Sequence, residues 1–208
     1  EALINFVALL GWSPSDGEEI KSVDEIAQDF RIHEVSSSNS IFEYDKLNWM
    51  NGQYIKKMDI KVLAEKIKPY LAKYDLTELS EENYLKMIEI TREPLTLLSD
   101  ITDDVPYFFG EYPEIDPEAQ TSILDTEVSQ EVLARIDGWD FNNLHQILED
   151  FRGYFKEKGI KPKVTMWAIR VAVTGRTRGA DMCGIMEILG KDKVKKRIIE
   201  YLAVKKMT

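Results

Sequence analysis

Apolar residues recur at three- and four-residue steps along most of the chain, and strict alternation is scarce. Ala2, Leu3, Phe6, Val7 and Leu10 form the first stripe, with Gly11 placed where a glycine cap would end a helix. Ser22 and Glu25 have capping-box spacing before Ile26 and Phe30, which predicts a second short helix, and Ser36 to Ser40 reads as a polar turn. Asp45 suits the cap of a helix through Leu47, Trp49 and Met50, punctuated by Asn51-Gly52 before Tyr54-Ile55, with a boundary near Lys57. Asp59 caps a stripe of Ile60, Leu63, Ile67 and Leu71. Ser80 caps another with Tyr84, Leu85 and Ile88, which Pro94 interrupts or kinks. Residues 100–118, with Pro106, Pro113 and Pro117, read as short turns. Val128, Val132, Leu133 and Ile136 form one further stripe, and Leu144, Ile147, Leu148 and Phe151 form another.

The run from Val164 to Val173 is apolar except for Arg170, and its length suits a buried helix or a strand. Helical neighbours and the break at Thr174-Gly175 favour helix, while Val171 and Val173 keep the strand alternative open. Asp181 caps Ile185 to Leu189, Gly190 closes that helix, and Asp192 opens the last one through Val194, Ile198 and Leu202. The fold class expected is all-α, a helical array rather than a sandwich, barrel or doubly wound sheet.

At 208 residues and 44% hydrophobic content, the chain can bury one or two ordinary cores. It has no apolar run near the ~20 residues of a membrane span and no basic leader before a hydrophobic segment, so neither a membrane partner nor secretion is expected. One cysteine, Cys183, and two histidines, His33 and His145, leave a thiolate and imidazole zinc site short of ligands, so no metal centre is expected. That cysteine usage points to the cytoplasm. The formal charge of −10 hides a segregation: residues 1–151 carry 12 Lys and Arg against 32 Asp and Glu, whereas 152–208 carry 15 against 5. The basic stretch is the expected source of phosphate contacts, and the acidic 100–118 segment should lie away from any phosphate backbone.

Motifs for self-contained catalysis are absent. There is no Gly-rich phosphate loop, His-Glu-x-x-His, Gly-x-Ser-x-Gly or Cys-x-x-Cys, and Glu18-Glu19, Glu81-Glu82 and Asp103-Asp104 read as solvated acids, so no catalytic residue is assigned. Thr174-Gly175-Arg176-Thr177-Arg178-Gly179 carries the most information. Its guanidinium groups and hydroxyls donate to phosphate oxygens or base edges, its glycines allow close backbone approach, and Met182 and Trp167 offer apolar surface to unstacked bases. A plain interhelical loop is the competing reading.

Several ordered motifs resemble the C-terminal half of bacterial glutamyl-tRNA synthetases, and they run the length of the chain. Ala2-Leu3-Ile4-Asn5-Phe6-Val7-Ala8-Leu9-Leu10-Gly11-Trp12-Ser13 is the most specific, resembling the helix and turn that follow that family's ATP-binding signature loop. Val35-Ser36 to Ile41-Phe42 and Lys46-Leu47-Asn48-Trp49-Met50-Asn51-Gly52-Gln53-Tyr54-Ile55 resemble its stem-contact region. Arg92 with Thr96-Leu97 and Tyr107-Phe108-Phe109 is similar to a weaker pattern. Ile169 to Arg176 and Glu187-Ile188-Leu189-Gly190 are similar to the last domain.

The resemblance implies an elongated, all-helical anticodon-binding cage of two subdomains, 57–125 and 126–208, preceded by a partial stem-contact region, 1–56. It implies a tRNA-binding fragment of a class I ligase that attaches glutamate to its tRNA. The parent would use ATP and magnesium, through motifs not present here, so the fragment itself would hold no cofactor and be inactive. By the same resemblance Arg92 faces an anticodon base, and Arg176 joins it as a contact. Together with Thr177, Arg178 and Met182 these form the expected RNA-binding set. Where many members read Gly-Pro-Gly-Leu-Phe, this chain has Gly179-Ala180-Asp181-Met182-Cys183. The implied partner is the tRNA for glutamate, and because enzymes that also charge the glutamine tRNA share the architecture, that tRNA is the second candidate. No DNA partner is expected, and the protein is expected to be a monomer. The alternative function is a helical protein-interaction scaffold without RNA binding.

Overall fold

The computed structural model describes residues 1–37, 41–117, 119, 131, 134–157, 159 and 162–205. Among the described residues the regular structure is helical and contains no strand. The α-helices are α1 (Ala2–Leu9), α2 (Val23–Asp29), α3 (Tyr44–Lys57), α4 (Ile60–Ile67), α5 (Glu81–Thr91), α6 (Ile101–Asp104), α7 (Leu144–Glu157), α8 (Pro162–Thr174), α9 (Met182–Leu189) and α10 (Lys191–Lys205). The 164–173 run therefore lies in a helix, α8. The stripe at Val128, Val132 and Leu133, like the serines at 38 and 40, lies outside the described residues. Among the described residues no helix is long and apolar enough to cross a membrane. The chain divides into two compact units, Glu1–Lys73 with Thr91–Thr102 and Tyr74–Ile90 with Asp103–Thr208.

In the first unit, local side-chain chemistry sets the helix starts. Ser22 Oγ accepts from the Glu25 amide at 3.2 Å while the Glu25 carboxylate accepts from the Ser22 amide at 2.7 Å, the reciprocal pairing of a capping box. Asp59 Oδ1 accepts from the Lys61 and Val62 amides at 2.9 and 3.2 Å, starting α4. Pro69 then turns the chain into a single 3-10 turn, Lys68–Leu71. Two expectations need correction. Helix α1 stops at Leu9 with Leu10 still right-handed and no left-handed cap at Gly11. Asn51-Gly52 does not punctuate α3, which runs unbroken to Lys57 and starts at Tyr44, so that Asp45 lies in its first turn instead of capping it. Gly52 is there because the Leu95 carbonyl packs on the helix: a β-carbon at this position would lie 3.0 Å from that oxygen. Asn51 Nδ2 clamps the same crossing by donating to the Thr96 carbonyl at 2.6 Å.

Helix α1 packs on α2 and α3 through a buried polar knot. Asn5, fully enclosed, accepts from the Lys21 amide at 3.0 Å. The Tyr54 hydroxyl shares its proton between Asn5 Oδ1, at 2.8 Å, and the Lys21 carbonyl. The Lys21 ammonium pairs with Asp16 at 2.6 Å and Asp29 at 3.4 Å. The buried apolar residues of this unit include Phe6, Met50, Ile55, Leu63, Ile67, Leu71 and Leu95.

In the second unit, α7 packs on α8, and α10 packs on both α8 and α9. Ile169, Val173, Ile185, Met186, Val194 and Ile198 fill the space between them, and Phe155 closes it from α7. Tyr74 stacks on Phe109 with ring centroids 4.4 Å apart. The turn Pro106–Phe108 sits against α8 and α9, and the acidic segment around it is anchored by basic residues of α10. Lys196 pairs with Glu111, and Lys195 reaches Asp137 at 2.8 Å.

The ion pairs set an acid limit. Hydrogen bonds from Lys21, Lys195 and Lys196 hold the Asp16, Asp137 and Glu111 carboxyls below their ordinary values of 3.8, 3.8 and 4.5. A carboxyl whose pKa is lower in the folded than in the unfolded state adds stability above its unfolded value. That stability is fully present above about pH 5 and is lost as the pH falls through the lowered folded-state values. Thermal unfolding followed by circular dichroism from pH 7 to pH 3 should show a falling Tm below that point. A Tm that stays level to pH 3 would deny these pairs any role.

Candidate functional site

The loop between α8 and α9 is built by its glycine and by the residues on either side. Thr174 Oγ1 donates to the Arg170 carbonyl at 2.7 Å and accepts from the Arg176 amide at 3.2 Å, which closes α8. Gly175 then takes φ +73°, and its carbonyl accepts from the Asp116 amide at 2.9 Å. From the other end, Asp181 Oδ2 accepts from the Gly184 amide at 2.8 Å and starts α9. Arg170 Nη1 spans the loop by donating to the Ala180 carbonyl at 2.9 Å. Burial lowers the Arg170 pKa, partly offset by Tyr107 and Asp181, while burial above all raises that of the Tyr107 phenol to about 12.

The loop thus has fixed ends and a basic crown. Arg176, 31% exposed, lies 3.7 Å from the Asp116 carboxylate. Thr177 is half-buried, and Arg178 is exposed with no partner among the described residues. Met182 is only 4% exposed and belongs to the core of α9 as well as to the wall of a neighbouring cavity, so it offers little open apolar surface. That cavity, about 470 Å³, is lined by Arg152, Trp167, Arg170 and Asp181 among others. Two guanidinium groups and an indole in one hollow suit an anionic or π-bearing ligand. Arg152 is also ion-paired to Glu149 on its own helix.

Arg92 belongs to the first unit, just past the end of α5, where its Nη1 donates to the Met58 carbonyl at 3.4 Å. The turn after it is tied by Asp100, whose Oδ2 accepts from the Thr96 and Leu97 amides at 3.1 and 2.8 Å. The loop thus carries Arg176, Thr177 and Arg178, Met182 follows as the buried first residue of α9, and Arg92 stands in a different unit. Arg152 and Arg170 are cavity residues that sequence reading missed. The signal for Arg170 was visible, since it is the one charge inside the apolar run of α8.

The basic tail does not present all its charge outward. Lys193 donates to the Phe108 carbonyl at 3.3 Å, and Lys195 and Lys196 meet the acids named above. Arg197 is buried and spends its donors on backbone carbonyls. The expected phosphate-contact surface from 152–208 is therefore narrower than its composition suggests. Cys183 is buried as well, and burial pushes its thiol up to about 11, so it is protonated at neutral pH.

Residues 62–202, which span α8, the loop and α9, match the anticodon binding domain family. The chain belongs to that family. It is similar to the glutamate–tRNA ligase of Finegoldia magna, with 34% identity over 97% of this chain and 42% of that protein. The ligase of Geobacillus stearothermophilus is also 34% identical, over 99% of this chain and 44% of its own length. Among solved structures, the glutamate tRNA ligase of Elizabethkingia meningosepticum, in complex with its amino acid, superposes with a TM-score of 0.82 at 30% identity, covering 98% of this chain and 41% of that one. The chain spans about 42% of the length of the curated relatives it matches.

Proposed function

We propose that this chain is the tRNA-binding part of a glutamate–tRNA ligase and that it recognises the anticodon arm. The observation that carries the reading is the arginine loop at 175–181, its ends fixed by Gly175 and Asp181, lying inside the stretch that matches the anticodon binding domain family. Arg176, Thr177 and Arg178 would donate to phosphate oxygens or base edges, and Arg92 would contact a base from the first unit. Residues 1–56 would touch the inner tRNA body, with 57–125 and 126–208 at the anticodon. Activation of glutamate with ATP and magnesium would belong to the whole ligase, and its place of work would be the cytoplasm. The tRNA for glutamate is the proposed partner, and the glutamine tRNA is the second substrate to test.

Filter binding with tRNA transcripts tests this. The glutamate tRNA should bind more tightly than an unrelated tRNA. Arg178→Ala should weaken binding and reduce the slope of log K against log salt by about 0.7, the change expected for one lost contact to a single-stranded phosphate. Arg92→Ala should reduce the preference for the cognate anticodon. Equal binding of both tRNAs, unaltered by Arg92→Ala, Arg176→Ala and Arg178→Ala, would reject the assignment.

A further inference from the structure

We propose that His145, Asp181 and Cys183 form a binding site for one divalent cation of the zinc class, with its remaining coordination position open to the cavity. One ligand atom from each residue lies within 4.8 Å of the other two. Zinc bonds of about 2.0–2.3 Å to nitrogen, oxygen and sulfur place tetrahedral ligands roughly 3.3–3.8 Å apart, so closure needs a movement of about 1 Å. His145 can supply it. It is exposed near the start of α7, where its ring can turn without disturbing the core.

The other two ligands are already positioned by α9. Asp181 is its N-cap, with Oδ2 held by the Gly184 amide, which leaves Oδ1 for a metal and fixes the carboxylate's orientation through a second bond. Cys183 lies in the first turn of the same helix, two residues from Asp181, and its side chain lines the cavity as a buried thiol. A mixed sulfur, nitrogen and oxygen set selects a borderline-soft cation over magnesium or calcium, which prefer all-oxygen cages. On binding, the thiol proton passes to solvent as the sulfur–metal bond forms, and thiolate plus carboxylate balance the two positive charges. The neighbouring arginines do not take the acceptors. Arg152 pairs with Glu149, and Arg170 donates to the Ala180 carbonyl. A bound cation would staple the start of α7 to the start of α9 and neutralise Asp181 beside the basic loop.

Cobalt(II) titration of the chain is the test, because Cys183 is its sole cysteine and any thiolate-to-cobalt charge-transfer band must come from it. The expected result is a near-ultraviolet charge-transfer band with tetrahedral visible bands, saturating at one equivalent and displaced by zinc. Cys183→Ala should abolish the charge-transfer band. His145→Ala, at an exposed position, should weaken binding at least as much as losing an outer-shell partner does, about 10–100-fold. His33→Ala should leave it unchanged. No charge-transfer band in the unmodified chain, or unchanged affinity in His145→Ala, would overturn the proposal.

Discussion

Replacing Arg197 with methionine should destabilise the second unit by about 3–5 kcal/mol, because it removes the donor from four buried or part-buried carbonyls. Arg197 is 1% exposed and has no carboxylate partner among the described residues. Its Nε donates to the Glu111 carbonyl at 3.0 Å, Nη1 to those of Tyr107 and Val173 at 2.8 and 2.7 Å, and Nη2 to that of Gly110 at 3.2 Å. Burial pushes the guanidinium pKa down to about 10, so it is still charged at neutral pH. Methionine fills similar space but leaves four carbonyls without this donor, each costing about 1–3 kcal/mol unless water reaches it. Lysine should restore only part of the loss, because a compact ammonium cannot span the arc that the planar fork covers. Urea unfolding of the chain measures the difference, and a loss below about 1 kcal/mol would show that the carbonyls find other donors.

Gly175→Ala should cost at least about 2 kcal/mol, since it adds a side chain both at a left-handed backbone angle and against another strand of backbone. At φ +73° the added β-carbon would sit 2.1 Å from the Glu114 carbonyl oxygen, far inside contact distance. The backbone cannot yield there as a side-chain tip would. Segment 111–117 must move away, which breaks the hydrogen bond from the Asp116 amide to the Gly175 carbonyl and loosens Arg176 from Asp116. Thermal unfolding reads the loss, and tRNA binding should fall with it even at temperatures where the variant stays folded. Because Arg197 grips the same segment through Glu111, the double variant should lose less than the sum of the two single losses. Full additivity would mean that the two residues act on separate parts of the unit.

What the sequence disclosed depended on how far each contact reaches. The starts at Ser22, Asp59, Ser80 and Asp181 were legible because a cap and the amides it accepts from lie within three residues. Gly52 was misread as punctuation because its reason is the Leu95 carbonyl, which local spacing does not reveal. Arg197 follows two lysines in a basic run and looks solvated, yet it alone of the three points inward. Met182 looked available as apolar surface and is packed in the core instead. The arginine loop was legible from composition, whereas the cavity beside it was not, because its walls come from α7, α8 and α9 and meet only after folding. For the same reason Asp181 was counted as a cap and not as a third ligand joining His145 and Cys183.

The knot of Asn5, Lys21 and Tyr54 also determines where the polypeptide can be dissected. A truncation beginning at α3 would strip Tyr54 of both its acceptors and uncover the face of α3 that packs on α1. Any minimal expression boundary for the first unit therefore has to retain the opening helix and the turn after it, although Arg92 and the arginine loop both lie elsewhere in the chain.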